Sequence, residues 1–186
     1  MIDVQALWLP ILVSSVIVFV ASWVLHMAPT WHKTDYPKLA NEDRLMDAVR
    51  PLGIAPGNYM VPRPADHRDM RSPEFAEKMK KGPVMMLTVM PSGPVNMGSS
   101  LLRWFVFVLV VGVFVAYITS RALAAGAPYL RVFQIAGATA FIAYSMALWP
   151  MRIWYGRSLG MTIKENVDGL IYGLLTAGAF GWLWPH

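Results

Sequence analysis

At 186 residues, 56% apolar and with a mean hydropathy of +0.44, the chain is too oily for a soluble domain and too short for two large ones. It has no cysteine, which excludes disulfides, thiolate catalysis, thiolate zinc sites and iron–sulfur clusters. A net charge of +5 would raise nucleic acid in a soluble protein; beside long apolar runs it reads as a topology signal, and nucleic acid drops out as a partner.

Four apolar runs, 4–25, 101–120, 132–149 and 167–184, are each long enough, or nearly so, to cross a bilayer core of about 30 Å as a helix. None has a charge in its central part. The expected fold is an all-α membrane protein, a four-transmembrane-helix bundle with a small α+β cytoplasmic cap between helices 1 and 2. Residues 1–27 form the first helix, 28–100 the cap and 101–186 the other three helices.

The first run has no Lys or Arg before it, is too long for a signal-peptide core, and is followed by no small-x-small cleavage site. It reads as an anchor with its N-terminus outside. His26 and His32 straddle its inner end. Polar anchoring at the interface is the plainer reading of the pair, and a His26–His32 metal site the sharper one. No HExxH occurs, and no mid-span His pair offers axial ligands to a haem.

In the cap, Asn41 is placed to cap a helix over 42–50, with Glu42 and Asp43 in its first turn and Pro51 beyond its end. Pro56-Gly57 signals a type II turn, followed by Tyr59-Met60-Val61. The loop Asp66, His67, Arg68, Asp69 is the one polar cluster an interfacial enzyme would use, and is equally an ordinary solvated loop. Ser72-Pro73-Glu74 starts a second helix and Gly82 stops it, with Glu74–Lys78 and Glu77–Lys81 at pairing distance in sequence. The apolar piece Val84 to Met90 pairs with 59–61 as a small sheet, or lies on the membrane surface. Eight of the thirteen methionines fall in the cap, 28–100, and we read them as flexible filler rather than as a Cu(I) site.

The run from Trp104 to Ser120 is Phe- and Val-rich, and the short link Ala-Ala-Gly-Ala-Pro at 124–128 folds it back on the next as a hairpin. That third run is small-residue-rich, with Ala136, Ala140, Ala143 and Ala147 in register and Gln134, Thr139 and Ser145 as polar atoms. Thr162-Ile-Lys-Glu165 resembles a capping box and starts the last helix near Ile163. Asp168 then complements the helix dipole, with Arg103 or Arg152 as its expected neighbour. Within that helix Gly169, Gly173, Ala177 and Gly181 recur every fourth residue, a ridge that admits a neighbouring backbone closely. The ridge is a helix-packing interface, either within the chain or toward a partner.

All eight tryptophans lie near run ends, as an aromatic belt requires. Eleven Lys and Arg lie between Lys33 and Arg103 and three between the third and fourth runs, against two on the opposite side. The positive-inside rule then puts both termini outside and the cap inside a bacterial cytoplasmic (inner) membrane.

Walker A, GxGxxG and GxSxG motifs are absent, and the two halves show no repeat. No catalytic residue, cofactor or metal is assigned. The expected function is a non-catalytic membrane scaffold or accessory subunit. Its partners are the lipid bilayer and either a protein held at the cap or ridge or a second copy of the chain. A small oligomeric transporter or channel, using Gln134, Thr139, Ser145 and Thr176, is the alternative, and an enzyme acting at the cytoplasmic interface the third.

Overall fold

A long apolar segment satisfies its own backbone only as a helix. The computed structural model describes residues 2–27 and 30–186 and folds every apolar run that way. The first two residues expected of the cap, 28 and 29, lie outside the described residues. Contacts divide the chain into two units, one running to Pro37 and resuming at Asn96–His186, the other Lys38–Val95.

In the first unit, a single 3-10 turn, Val4–Leu7, leads into α1 (Trp8–Met27); Asp3 starts it by accepting from the Gln5 amide at 3.1 Å. In the second unit, α2 (Glu42–Val49) runs into a 3-10 turn, Arg50–Leu52, that ends at Gly53 with φ +58°. The Asn41 side chain makes no capping bond. The strands β1 (Gly57–Val61) and β2 (Met85–Val89) pair antiparallel, with Tyr59 opposite Leu87. The turn expected at Pro56-Gly57 is not formed: Gly57 already belongs to β1, and the left-handed residue is Gly53. Between the strands, α3 (Pro73–Lys81) is capped by Ser72, whose Oγ accepts from the Phe75 amide at 3.0 Å. Its surface ion pair is Lys80–Glu77 at 3.6 Å, one turn apart, in place of the pairs expected at 74–78 and 77–81.

Back in the first unit, α4 (Met97–Ala122) and α5 (Tyr129–Phe141) form the expected hairpin. The backbone then loosens into a π turn, Ile142–Met146, and continues as α6 (Leu148–Tyr155). The loosening has a local cause. Pro150 has no N–H for the Met146 carbonyl, and its ring crowds that carbonyl out of a regular α ladder. Gly156, at φ +71°, stops α6, and α7 (Leu159–Trp182) follows. It starts a turn earlier than the Thr162 capping box predicts. The cap is Ser158, which accepts from the Met161 amide at 3.2 Å, and Thr162 Oγ1 bonds back to the Ser158 carbonyl at 2.9 Å. Once Gly156 has reversed the chain, Ser158 is the first extended residue with a side-chain acceptor, and it captures the free amides first.

Among the described residues, three stretches are long and apolar enough to cross a membrane: Val4–Met27, Met97–Ala122 and Tyr129–Tyr155. The fourth expected span, α7, is not among them; it carries Lys164, Glu165, Asn166 and Asp168 near its start and several glycines beyond, all of which lower its hydropathy. Within this unit α1 packs on α4 and α7, and α5 packs on α4 and α7. Leu7, Ile11, Val115, Ala136, Ala140 and Phe180 are buried together at one end, and Val18, Val108 and Tyr172 at the other. Close approach of α1 and α4 uses Gly112, whose missing side chain leaves room for Ile11 and Ser15. Ser15 satisfies its buried hydroxyl on the Ile11 carbonyl at 2.7 Å. The 124–128 link is tied down by the Trp184 indole, which donates to the Ala124 carbonyl at 3.0 Å, and by the Gly126 amide, which donates to Pro185 at 2.8 Å.

Candidate functional site

The ridge residues lie against α5 and the turn that follows it. Gly169 faces Ser145 and Tyr144. A Cβ on Gly173 would stand 3.3 Å from the Gly137 carbonyl and from the Phe141 backbone nitrogen. Ala177 fills the space above Gly137, and Gly181 lies under the Tyr129 ring, 2.7 Å from where its Cβ would be. The neighbour is therefore Gly137, Phe141 and Tyr129 rather than the alanine row. Ala136 and Ala140 turn into the core, whereas Ala143 and Ala147 are exposed. The facing row before the turn is Gly137 and Phe141, one position on from Ala136 and Ala140, and the π turn then changes the register for Ala143 and Ala147.

The polar candidates of the channel reading are spread out. Thr139 donates to the Ile135 carbonyl at 2.8 Å, Gln134 is exposed beside Arg131, and Ser145 and Thr176 are buried. The 66–69 loop has a structural occupation. Asp66 accepts from the Arg68 and Asp69 amides at 2.7 and 2.8 Å, and Asp69 accepts from Ala65 at 2.7 Å.

Charged chemistry gathers instead where the C-terminal end of α1, the segment 30–37 and the first turns of α7 meet. Four positions of 30–37, Trp31, His32, Thr34 and Asp35, reach this cluster. Thr34 and Asp35 accept from Lys164 Nζ at 2.9 and 2.6 Å. Trp31 presents its ring to the same ammonium at 5.7 Å. His32 Nδ1 donates to the other Asp35 oxygen at 2.6 Å. Burial pushes the Asp35 carboxyl up, but the hydrogen bonds from Lys164 and His32 outweigh it and hold Asp35 below the ordinary carboxylate value of 3.8.

On its other edge His32 Nε2 stands 3.0 Å from Asp168 Oδ2. Asp168 thus faces a histidine and not the expected arginines. Arg152 donates to the Arg157 carbonyl at 2.8 Å, and Arg157 pairs with Glu165. The His26 ring stacks on that of His32, centroids 4.4 Å apart and planes 7° from parallel. His26 Nδ1 lies 2.9 Å from the Ser22 carbonyl. A carbonyl only accepts, so Nδ1 carries a proton and Nε2 of the neutral ring keeps its lone pair. One donor atom each from His26, His32 and Asp168 lies within 4.8 Å of the others. His26 also lines an apolar groove of about 450 Å³ with Phe19, Trp23, Met27 and Trp104.

The sequence pairs His26 with His32 and sets Asp168 apart at a helix start; nothing in it joins Asp168, Asp35 or Lys164 to the two histidines. Asp35 and Lys164 are 129 positions apart, so no local spacing announces the contact. The available signal was that all five residues flank the same expected membrane face. No protein-family model, curated protein or solved structure matches this chain.

Proposed function

We propose that the chain is a non-catalytic integral membrane scaffold or accessory subunit, and that the unit Lys38–Val95 is the surface on which it holds a protein partner. One observation carries this reading. Between Lys38 and Val95 no residue is buried, while Leu45, Met46, Leu52, Met70, Met90 and Val95 are all at least half exposed. An unburied two-stranded sheet with two short helices is marginal by itself, and exposed apolar side chains in this number mark a surface that is covered in use. Both helices mix signs, Arg44 among Glu42, Asp43 and Asp47 on α2 and Glu74 and Glu77 ahead of Lys78, Lys80 and Lys81 on α3, which suits a protein better than an anionic bilayer surface, where Lys and Arg without acids are expected.

On this reading α7 is the fourth span of a four-helix bundle. The charges of its first turns lie at the inner face, and Gly169 to Trp182 lie in the bilayer. The excess of Lys and Arg on one side supports an orientation with both termini outside a bacterial inner membrane. The channel reading has less support, since its four polar residues do not converge, and the enzyme reading less again, since Asp66 and Asp69 are occupied as turn caps.

The experiment is purification from native membranes without crosslinking, with the complex mass measured. A partner at fixed stoichiometry should be retained, and lost when Leu45 and Met46 are both changed to Asp while the melting of the membrane unit is unaltered. A homo-oligomer without a second protein would favour the channel. A partner retained by the double variant would remove Lys38–Val95 from the interface.

A further inference from the structure

We infer that His26, His32 and Asp168 form a binding site for one divalent first-row transition-metal ion, a clip joining the end of α1, the segment 30–37 and the start of α7. This goes beyond the scaffold reading and does not depend on it.

The donor set is two imidazoles and a carboxylate, which suits Zn²⁺, Co²⁺, Ni²⁺ or Fe²⁺ and leaves positions open for water. Each histidine is prepared in the manner of a metal ligand. His32 donates from Nδ1 to Asp35 and His26 donates from Nδ1 to a backbone carbonyl, so each keeps its Nε2 lone pair for a metal, and His32 already presents its Nε2 to Asp168. Asp35 is in turn fixed by Lys164.

The unsatisfied atoms point the same way. His32 Nε2 and Asp168 Oδ1 are buried and have no hydrogen-bond partner, although Nε2 is only 3.0 Å from Asp168 Oδ2. That pair is close without the alignment of an N–H···O bond, as two lone-pair-bearing atoms facing a shared third atom would be. Asp168 is 3% exposed, and a buried unsatisfied carboxylate oxygen beside two imidazoles is explained by a shared ion, where lone unsatisfied hydroxyls such as those of Thr119 and Ser145 have no such donors beside them. With His32 neutral, as a metal ligand must be, the carboxylates Asp35, Glu165 and Asp168 have only Lys164 and Arg157 as cations among their ion pairs, leaving one negative charge that a metal ion would cover.

For bonds of about 2.0–2.1 Å, tetrahedral donors stand about 3.3 Å apart. The His32–Asp168 pair already meets that spacing. His26 must move, because a metal lies in the plane of each ring it binds and stacked planes do not meet. Its ring is exposed in the last turn of α1, and the groove beside it provides a way in.

The test uses the full chain with a histidine-free tag, purified in detergent, stripped with EDTA and dialysed. Zn²⁺ and Co²⁺ are titrated by calorimetry, by the visible Co²⁺ spectrum and by melting temperature. One ion per chain should bind, Co²⁺ should develop d–d bands, and the melting temperature should rise with metal concentration. His26→Gln, at an exposed position, and Asp168→Asn should each weaken binding at least about tenfold; Asp35→Asn, which acts only through His32, should weaken it about tenfold. His67→Gln, in the other unit, should change nothing. No saturable one-to-one binding to the wild-type chain would overturn the proposal. So would binding that persists in the combined His26→Gln, Asp168→Asn chain; a protonated His32 between Asp35 and Asp168 would then be what the cluster holds.

Discussion

The two units obey the same local rules and differ in what they do with their apolar side chains. Both start helices with a serine, Ser72 in one and Ser158 in the other, each accepting from the amide three residues on. Both stop helices at glycine. Yet every buried residue among the described residues is in the unit that contains α1, α4, α5 and α7, and none is in Lys38–Val95. Helix caps, then, set where elements begin, and say nothing about whether those elements can stand alone. Close packing decides that, and here it is concentrated where backbones touch through missing side chains.

The sharpest way to break the comparison is therefore a large side chain at a backbone contact. Gly173→Leu would drive its side chain into the Gly137 carbonyl and the Phe141 backbone, neither of which can turn aside. A loss of about 3 kcal/mol is expected, seen as a lower melting temperature in detergent with the mass of the complex unchanged. If the mass falls first, the ridge is an assembly surface. Leu174→Ala, at a residue 48% exposed, should stay within about 0.5 kcal/mol.

Next in size is the ionic tie between α7 and 30–37. Lys164→Met removes two hydrogen bonds and leaves the Asp35 carboxylate, 6% exposed, with His32 alone. About 2 kcal/mol should be lost, read by thermal melting, and Lys164→Arg should recover part of it.

Acid acts on the same tie. Because Asp35 titrates below its ordinary value of 3.8 in the fold, its contribution is complete above that pH and disappears as the pH falls through the folded value. The melting temperature should drop in that acid range, and the drop should be shallower in Asp35→Asn. An identical profile would mean that Asp35 is not held by Lys164. The smallest effect belongs to the other unit. Leu45→Ala, at a residue 50% exposed, should change the melting of the purified chain by less than about 0.5 kcal/mol.

Much of this division was legible in the residues. The apolar runs gave the long helices, Ser72 and Gly82 bounded α3, and the β-prone pieces on either side of it paired as β1 and β2. Helix starts were less legible, because a cap competes with its neighbours. Thr162 and Glu165 have the right spacing, but Ser158 meets the chain first after Gly156, and Thr162 is left inside the helix. The π turn needed Pro150 to be read four residues upstream of itself. The alanine row is not the partner of the glycine ridge: Gly137 and Phe141, beside Ala136 and Ala140, take that place, and the turn changes which face Ala143 and Ala147 present. The His32, Asp35, Lys164 and Asp168 cluster was out of reach of any pattern along the chain. It is a tertiary contact between a connector and a helix start more than a hundred positions apart.

The central claim is that the membrane unit holds itself together, whereas Lys38–Val95 is covered by a partner in place. Trypsin cleavage at Lys38, Arg44, Arg50, Arg63 and Arg71 tests it most directly, timed in inverted native vesicles and again on the chain purified alone. Slow cutting in vesicles and fast cutting after purification is the expected result. Equal rates in the two preparations, whether fast or slow, would contradict it.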